Sequence, residues 1–308
     1  MNIPETQTAV LVGPQERKLA DIPVGQPGSD EVLIKNVAVA SNPKDWKGPK
    51  WFYGENEAYV EGNDVAGIIV AVGQGVSEYK VGDRVVAFTK IRIVKYGAYQ
   101  QYTVAPASIT FPIPDNTTFE EAATLPLAAM TAAIGLFVRL GIPAPETPEA
   151  ASNAGKAIII NGAASSVGAF AVQLAKRAGL YVVGTAGSSK QYAKELGADV
   201  VIDYREHEGD AIIDAVIAAL GDRPTLWAYD AVSEHGSALM LARTLAKVSK
   251  SGKVTTFSHW LADGSFKPNR PKVLPEGLRS VAQGLELLET GKVHAEKLVY
   301  RIADTPGL

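Results

Sequence analysis

The chain has 308 residues, a formal net charge of −3 and a hydrophobic content of 46%. This length suits one or two domains with a sizeable core, and the charge gives no broad basic surface for nucleic acid or an anionic membrane. No apolar run is as long as a membrane span, and the first residues lack the layout of a signal peptide, so we expect a cytoplasmic protein. The absence of cysteine excludes disulfides, thiolate catalysis and cysteine-ligated zinc.

The first 125 residues consist mainly of short β-rich runs separated by turns that contain glycine and proline. This pattern predicts a compact antiparallel β-barrel. The predicted strands are Thr8–Val12, Glu31–Val39, Asp64–Val72, Arg84–Phe88 and Gln101–Val104. A helix is predicted over Glu120–Leu140, with Thr117 or Thr118 as its N-cap and acidic residues in its first turn.

The most informative segment is Ile158 to Gly179, where a buried strand, a turn of small residues and a helix follow one another. This order presents backbone N–H groups and a helix N-terminus to a pyrophosphate. The turn ends in Ser165, Ser166, Val167 and Gly168, and its two serines add hydroxyl donors. The alternative is an ordinary strand-to-helix turn whose glycines only permit close packing.

The residues after the next predicted strand, Tyr181–Thr185, indicate which dinucleotide would bind. Enzymes that use NAD usually place Asp or Glu at the end of this strand to hold the ribose 2′-hydroxyl. Here Ser188, Ser189 and Lys190 follow, and two hydroxyls with an ammonium suit a 2′-phosphate. We therefore predict NADPH rather than NADH. Alternatively, Ser188 or Ser189 only caps the helix Lys190–Leu196.

Strands and helices continue to alternate towards the C-terminus, which predicts a doubly wound parallel sheet. Ligands bind beyond the carboxyl ends of such strands, so we expect Val232, Phe257 and Ser258 to face the cofactor. Tyr204 either covers the adenosine end or packs, and His259 is either an acid or a surface histidine. The later predicted elements are Val200–Ile202, Asp210–Leu220, Thr225–Tyr229, Ser237–Val248, Gly252–Phe257, Glu276–Thr290 and Lys297–Ile302, the last of them returning to the barrel.

Several motifs resemble those of the medium-chain dehydrogenase/reductase superfamily, and the resemblance covers nearly the whole chain. It implies an α/β fold, in which a Rossmann-like doubly wound parallel sheet accompanies an antiparallel GroES-like β-barrel. The implied domains are 1–125 with 270–308 for the barrel and 126–269 for dinucleotide binding. The motifs are Gly62–Gly67 with Gly73, Val81–Val85, Glu121–Pro126 with Thr131-Ala132, Gly162–Gly168 and Val172–Lys176.

The branch of the superfamily follows from residues that are missing. Zinc alcohol dehydrogenases place a ligand cysteine early and a His-Glu pair in the barrel motif, whereas the matching stretches here are Ser41–Asp45 and Gly62–Asp64. With Asn42–Lys47, this resembles the zinc-free quinone oxidoreductases and the fungal enoyl reductases that act in trans with synthases. The resemblance implies an NADPH-dependent, metal-free reductase of a small-molecule substrate: an enone or enoyl thioester C=C bond, or a quinone.

Two other functions remain open from the sequence. The stretch 258–275 is short for the family, which motivates a catalytically weak NADPH sensor or a partner protein of a larger synthase. A metal-dependent alcohol dehydrogenase is the third hypothesis. The expected partners beyond the substrate are a second copy of the chain or a synthase, with neither nucleic acid nor membrane.

The resemblance also implies roles for individual residues. Tyr53 matches the spacing of the proton-donor tyrosine in mitochondrial-type enoyl reductases, and Lys44 and Lys47 are rival donors. Alternatively, Tyr53 packs on Trp46, Trp51 and Phe52, Lys47 is a solvated surface lysine, and Asp45 caps the turn after Pro43. The implied cofactor contacts are Asn42, Pro43, Lys44, Asp45 and Thr131 at the nicotinamide ribose, Ser165 to Gly168 at the pyrophosphate, and Ser188, Lys190 and Tyr204 at the 2′-phosphate.

Overall fold

The structure, a computed structural model, describes residues 2–90, 92–234, 236–253 and 269–307. The described residues form two compact units. The first unit contains residues 2–127 and 269–307, and the second contains residues 128–253.

Strands dominate the chain up to residue 112, whereas strands and helices alternate over most of the remainder. The strands are β1 (Thr6–Val12), β2 (Arg17–Pro23), β3 (Glu31–Ala40), β4 (Tyr59–Val60), β5 (Asp64–Val72), β6 (Arg84–Phe88), β7 (Tyr102–Pro106), β8 (Thr110–Pro112), β9 (Ala157–Asn161), β10 (Tyr181–Ala186), β11 (Val200–Asp203), β12 (Thr225–Asp230), β13 (Pro271–Leu274) and β14 (Lys297–Arg301). The α-helices are α1 (Lys44–Phe52), α2 (Phe119–Ala123), α3 (Pro126–Ile134), α4 (Ser166–Arg177), α5 (Lys190–Glu195), α6 (Ala211–Leu220), α7 (Ser237–Val248) and α8 (Val281–Glu289).

The first unit is built from two β-sheets. One has the order β2-β1-β4, and the other has the order β13-β14-β3-β5-β6-β8, with β7 also paired to β3. The pairings are antiparallel except for β13 with β14, which run parallel at the edge of the second sheet. Strand β14 does return to the barrel, where it pairs with β3.

The core of the first unit lies between these sheets. Strands β3 and β5 contribute residues that are fully buried, among them Val32, Ile34, Val65 and Ile69. Burial of such branched side chains stabilises the folded chain by roughly 1.5–3 kcal/mol each. Helix α8 adds Leu285 to the same cluster.

Two helices of the first unit differ from the sequence prediction. Helix α1 was not predicted, because Gly48 and Pro49 lower its intrinsic helix propensity; tertiary packing of Trp46 against the barrel core compensates. The predicted helix Glu120–Leu140 is divided into α2 and α3, since Pro126 begins a new helix more readily than it continues one. The chain then forms a π-helical turn over Gly135–Arg139.

The second unit is a parallel sheet with the strand order β11-β10-β9-β12. Strand β9 is buried along its whole length, as expected for a central strand covered on both faces. A parallel bridge from Trp227 to Lys253 lies where the predicted strand Gly252–Phe257 begins, and the rest of that strand falls outside the described residues. Within the described ranges, no helix is both long and apolar enough to cross a bilayer.

Candidate functional site

The turn after β9 is held in a single geometry by its own backbone. Gly162 has a φ of +70°, which favours glycine. The Ser165 hydroxyl caps α4 by accepting a hydrogen bond of 3.0 Å from the Gly168 N–H. A Cβ atom at Gly168 would lie 2.1 Å from the Gly162 carbonyl oxygen. Close packing therefore requires this glycine, and the tight turn leaves the N-terminus of α4, at Ser166 and Val167, at the carboxyl end of β9.

Two polar side chains that the sequence analysis missed connect the strand ends. Asn161 donates to Asp230 over 2.9 Å and accepts from the Thr185 hydroxyl at 2.6 Å. Asp230 also accepts from the Val232 N–H and from Ser237. Burial alone would raise the pKa of Asp230, but these hydrogen bonds lower it. The carboxyl ends of β9, β10 and β12 are thus joined, and Gly162 lies under the Val232 side chain.

The predicted 2′-phosphate region contains more charge than the sequence suggested. Lys190 Nζ lies 2.7 Å from Glu206 Oε1 and 3.3 Å from Asp203 Oδ2. Arg205 grips the same buried Asp203 through Nε and Nη2, at 2.9 and 2.7 Å. The hydrogen bonds from Arg205 hold the pKa of Asp203 below its usual range. The sequence places no carboxylate at the end of β10, but Asp203 at the end of β11 and Glu206 just beyond it lie beside Lys190.

The neighbours of Lys190 also bear on the alternatives for this loop. Ser189 occupies the N-cap position of α5 but makes no capping hydrogen bond through its side chain. Tyr204, which is half exposed, covers Gly187, where a Cβ atom would lie 2.6 Å from the phenol oxygen. Ser188, Ser189, Lys190 and Tyr204 therefore share the carboxyl end of β10 and β11.

The remaining residues predicted to contact the cofactor are dispersed. Thr131 is exposed on α3, and its main-chain carbonyl accepts a hydrogen bond of 3.3 Å from the Tyr229 hydroxyl. Phe257, Ser258 and His259 lie outside the described residues. Residues 42–45 belong to the first unit and are described there.

A buried carboxylate organises the start of α1 in the first unit. Asp45 Oδ2 accepts hydrogen bonds from the Asn42 N–H at 2.8 Å and from the Tyr99 hydroxyl at 2.6 Å. The expected turn-capping role of Asp45 after Pro43 is therefore present in the structure. The Tyr99 hydroxyl also lies 2.8 Å from the Ser41 hydroxyl, which in turn lies 2.8 Å from the Tyr300 hydroxyl.

Lys44 bridges this carboxylate to a second one, Glu61. Its Nζ donates a hydrogen bond of 2.6 Å to Glu61 Oε2. It also lies 2.7 Å from Asp45 Oδ1, a contact that is an ion pair without hydrogen-bond geometry. Burial alone would lower the pKa of Lys44, but the two carboxylates outweigh it and raise the pKa. The Lys44 side chain is 31% exposed and lines a pocket.

The Tyr53 phenol donates a hydrogen bond to the other oxygen of Glu61. Its ring packs edge-on against Tyr59, with centroids 5.1 Å apart, and the Arg92 guanidinium lies 5.2 Å from its centroid. Trp46, Trp51 and Phe52, the expected packing partners of Tyr53, instead form edge-on contacts with one another. The Lys47 ammonium lies 5.5 Å from the Trp46 ring centroid and 5.6 Å from that of Trp51, so it contacts aromatic rings rather than standing apart in solvent.

These side chains surround a pocket of about 430 Å³. Its wall is mostly apolar, and a phenol, cations and a carboxylate are exposed on it. The lining residues are Lys44, Lys47, Gly48, Trp51, Phe52, Tyr53, Glu61 and Arg92. A pocket of this size with few polar groups is typical of a small-molecule site.

The Asn42 side chain is occupied within the first unit. Its amide donates to Asp64 at 2.7 Å and its carbonyl oxygen accepts from Lys297, a buried lysine 3.0 Å from Asp64. Asp64 also accepts from the Leu127 N–H at 2.6 Å. Sequence reasoning missed the hydrogen bond between Asn42 and Lys297, because the two residues are 255 positions apart. Among the described residues, no cluster of three His, Asp or Glu side chains is arranged to hold a metal ion.

Comparison with known proteins identifies the family. Residues 28–115 match the alcohol dehydrogenase GroES-like domain, and residues 166–281 match the zinc-binding dehydrogenase model. The chain is 36% identical over 270 residues to trans-enoyl reductase fsr4 of Gibberella fujikuroi, covering 86% of this chain and 77% of that protein. The chain belongs to the medium-chain dehydrogenase/reductase family.

Other members of this family support the same assignment. The chain is 35% identical to the chloroplastic quinone-oxidoreductase QR1 of Triphysaria versicolor, over 77% of this chain and 69% of that one. A mycobacterial protein, Rv1454c, solved with NADPH, superimposes with a TM-score of 0.70 at 23% identity, covering 96% of this chain and 99% of that one. The predicted fold, a Rossmann-like parallel sheet with a GroES-like barrel, is confirmed, and the protein is an oxidoreductase of this family.

Proposed function

We propose that this family member is an NADPH-dependent reductase that delivers hydride, without a metal, to an enone or enoyl thioester C=C bond or to a quinone. The observation that carries the proposal is the pocket in the first unit, where the Tyr53 phenol and the Lys44 ammonium line a wall whose exposed area is mostly apolar. The names of the trans-enoyl reductase and quinone-oxidoreductase relatives support the two acceptor classes.

The chemistry of such a reduction explains why these side chains suit the pocket. When bound, the reduced nicotinamide supplies a hydride. As the acceptor takes up the hydride, negative charge develops on its carbonyl oxygen, which needs a hydrogen-bond donor, and a carbon or oxygen then needs a proton. Lys44, Lys47, Tyr53 and Arg92 are donors on the pocket wall, and the Trp51 and Phe52 rings give it apolar surface on which an acceptor can pack.

The second unit supplies groups that fit a dinucleotide. The tight turn ending in Ser165 and Gly168 brings the N-terminus of α4 to the strand ends, where a pyrophosphate is stabilised. Lys190 and Arg205 place two cations at the ends of β10 and β11, which suits a 2′-phosphate. Asp203 is held by both cations, and Glu206 is 63% exposed and able to turn into solvent.

Turnover with a panel of acceptors tests the function. We expect NADPH oxidation with at least one enone, enoyl thioester or quinone, and unchanged rates after dialysis against a chelator. Tight NADPH binding with no turnover on any acceptor would contradict the reductase and favour a sensor or a synthase partner. Activity that is lost on chelation and restored by zinc would instead support a metal-dependent dehydrogenase.

The cofactor preference has its own test, Lys190→Ala. Removing a charge-assisted contact to the 2′-phosphate should weaken NADPH binding about 10- to 100-fold and leave NADH nearly unchanged. The matched control is Lys194→Ala, an exposed lysine on the same helix, which should affect neither cofactor. Fluorescence titration of both cofactors measures the effect, and an equal loss for both would refute the assignment.

A further inference from the structure

Four ionisable side chains beside the pocket contact one another in series. Three of them were predicted from the sequence to contribute to the site or to cap a turn, and the fourth was not. The series runs from the Tyr53 phenol to Glu61, then to the Lys44 ammonium and to Asp45. Glu61 is the member that the sequence did not single out. Its side chain is 3% exposed, lies just before β5 and still lines the pocket.

The two oxygens of Glu61 have different partners, and this makes it a bridge. Oε1 accepts from the Tyr53 phenol, and Oε2 accepts from Lys44 Nζ at 2.6 Å. A carboxylate bound in this way cannot rotate without losing a charge-assisted hydrogen bond. It therefore fixes the orientation of both pocket donors at once.

The same contacts set how readily each donor releases a proton. Burial of Tyr53 raises the pKa of its phenol, and the hydrogen bond to Glu61 raises it further. The Asp45 carboxylate acts in the same direction, whereas the Arg92 guanidinium over the ring opposes both. A Tyr53 phenolate would lie beside the negative charge of Glu61, which disfavours it. Tyr53 is therefore a good proton donor only if a second proton reaches its oxygen during the transfer.

We propose that Glu61 is a positioning residue that joins Tyr53 and Lys44 into one proton-transfer unit, with the Lys44 ammonium as the proton source. This inference rests on the proposed reductase function. The Tyr53 O–H turns from Glu61 to the reduced acceptor and transfers its proton there, while a proton passes from Lys44 to Glu61 and from Glu61 to the Tyr53 oxygen. Tyr53 and Glu61 end unchanged, and Lys44 ends as a neutral amine.

The arrangement also accounts for how the unit would be reset. Neutral Lys44 would lie between two carboxylates, which favour its charged form. Because its side chain is partly exposed, water can return the proton without passing through Tyr53. The buried hydroxyls of Tyr99, Ser41 and Tyr300 fix Asp45 from the other side and keep it aimed at Lys44.

Phenol titration tests the coupling without cofactor or acceptor. In the wild-type protein, ultraviolet titration compared with Tyr53→Phe should show no Tyr53 ionisation up to the ordinary tyrosine pKa of about 10. In Glu61→Gln, the same comparison should show Tyr53 ionising at a lower pH than in the wild-type protein, although still above the ordinary value because the phenol remains buried. If the Tyr53 phenol ionises near its ordinary value in the wild-type protein, or is unaffected by Glu61→Gln, the coupling does not exist.

Kinetics provide the second readout. Glu61→Gln should lower kcat about 10- to 100-fold with little change in KM, less than complete loss of general acid catalysis because Tyr53 remains, and Glu61→Asp should recover part of it. Glu55→Gln is the matched control, because Glu55 is an exposed carboxylate in the same connection between α1 and β4. It should alter neither kcat nor the titration.

The two proposals fail in different ways. No turnover on any acceptor, together with a Tyr53 phenol that titrates as the coupling predicts in both proteins, would refute the reductase and leave the Glu61 coupling intact. Full activity of Glu61→Gln would refute the relay and leave the reductase standing.

Discussion

Gly168→Ala tests the tight turn at the start of α4 with a single methyl group. The added Cβ atom would lie 2.1 Å from the carbonyl oxygen of Gly162, 2.8 Å from its carbonyl carbon and 3.0 Å from Ala163 Cα. All three atoms belong to the backbone of the turn, so no side chain can rotate to make room. Either the start of α4 or the turn itself must move.

The magnitude follows from two opposing effects. Forcing an extra methyl group into a packed site costs about 1–3 kcal/mol, and backbone contacts place this site at the upper end. Replacing glycine by alanine in a helix contributes about 1 kcal/mol in the favourable direction. We expect a net destabilisation of about 2 kcal/mol. Displacement of the Ser165 cap should also weaken NADPH binding.

Gly48→Ala is the matched control, because Gly48 lies inside α1 and a Cβ atom there meets nothing within 4 Å. It should stabilise the protein by up to about 1 kcal/mol. Urea and thermal unfolding midpoints of both variants, with a cofactor titration of Gly168→Ala, measure the difference. A Gly168→Ala protein as stable as Gly48→Ala, with normal cofactor binding, would refute the packing argument.

Two further predictions concern stability in the first unit. Burial would raise the pKa of Glu31, but hydrogen bonds from Lys95, Tyr96 and the Gly28 N–H lower it to about 2; the resulting stabilisation, about 2–3 kcal/mol, is present above pH 4.3 and is lost as the pH falls towards 2. Glu31→Gln should therefore lower the urea midpoint at pH 7, and the gap to wild type should shrink between pH 5 and pH 3; a constant gap would contradict this. Thr118 forms a capping box with Glu121, so Thr118→Ala should cost about 1 kcal/mol whereas Thr117→Ala should cost almost nothing in thermal unfolding.

Local pattern was sufficient to predict the second unit. The strand, turn and helix from β9 to α4 depend on neighbouring residues, so their order and most of their bounds follow from the sequence. Helix α1 could not be predicted in this way, since Gly48 and Pro49 argue against it and the packing of Trp46 decides it.

Long-range partners in the first unit were beyond the sequence for a different reason. Nothing in the sequence spacing indicates that Glu61 accepts hydrogen bonds from both Lys44 and Tyr53. Nor does it indicate that Lys297 donates a hydrogen bond to Asn42. Such contacts depend on how β-strands distant in sequence lie beside one another. The donor residues could therefore be named from a family resemblance, but their hydrogen-bond partners could not.

The cofactor region shows the consequence of such a missed contact. From the sequence, Lys190 is a cation with no carboxylate near it, whereas in the structure Asp203 and Glu206 neutralise it and Arg205 together. A ribose hydroxyl could be held by the carboxylates and a 2′-phosphate by the cations. Because Asp203 is buried and gripped by Arg205, the group free to respond is Glu206. We therefore expect the preference for NADPH to increase as Glu206 turns away from Lys190. The NADH affinity of the Lys190→Ala variant measures what Asp203 and Glu206 contribute to cofactor binding when the Lys190 ammonium is absent.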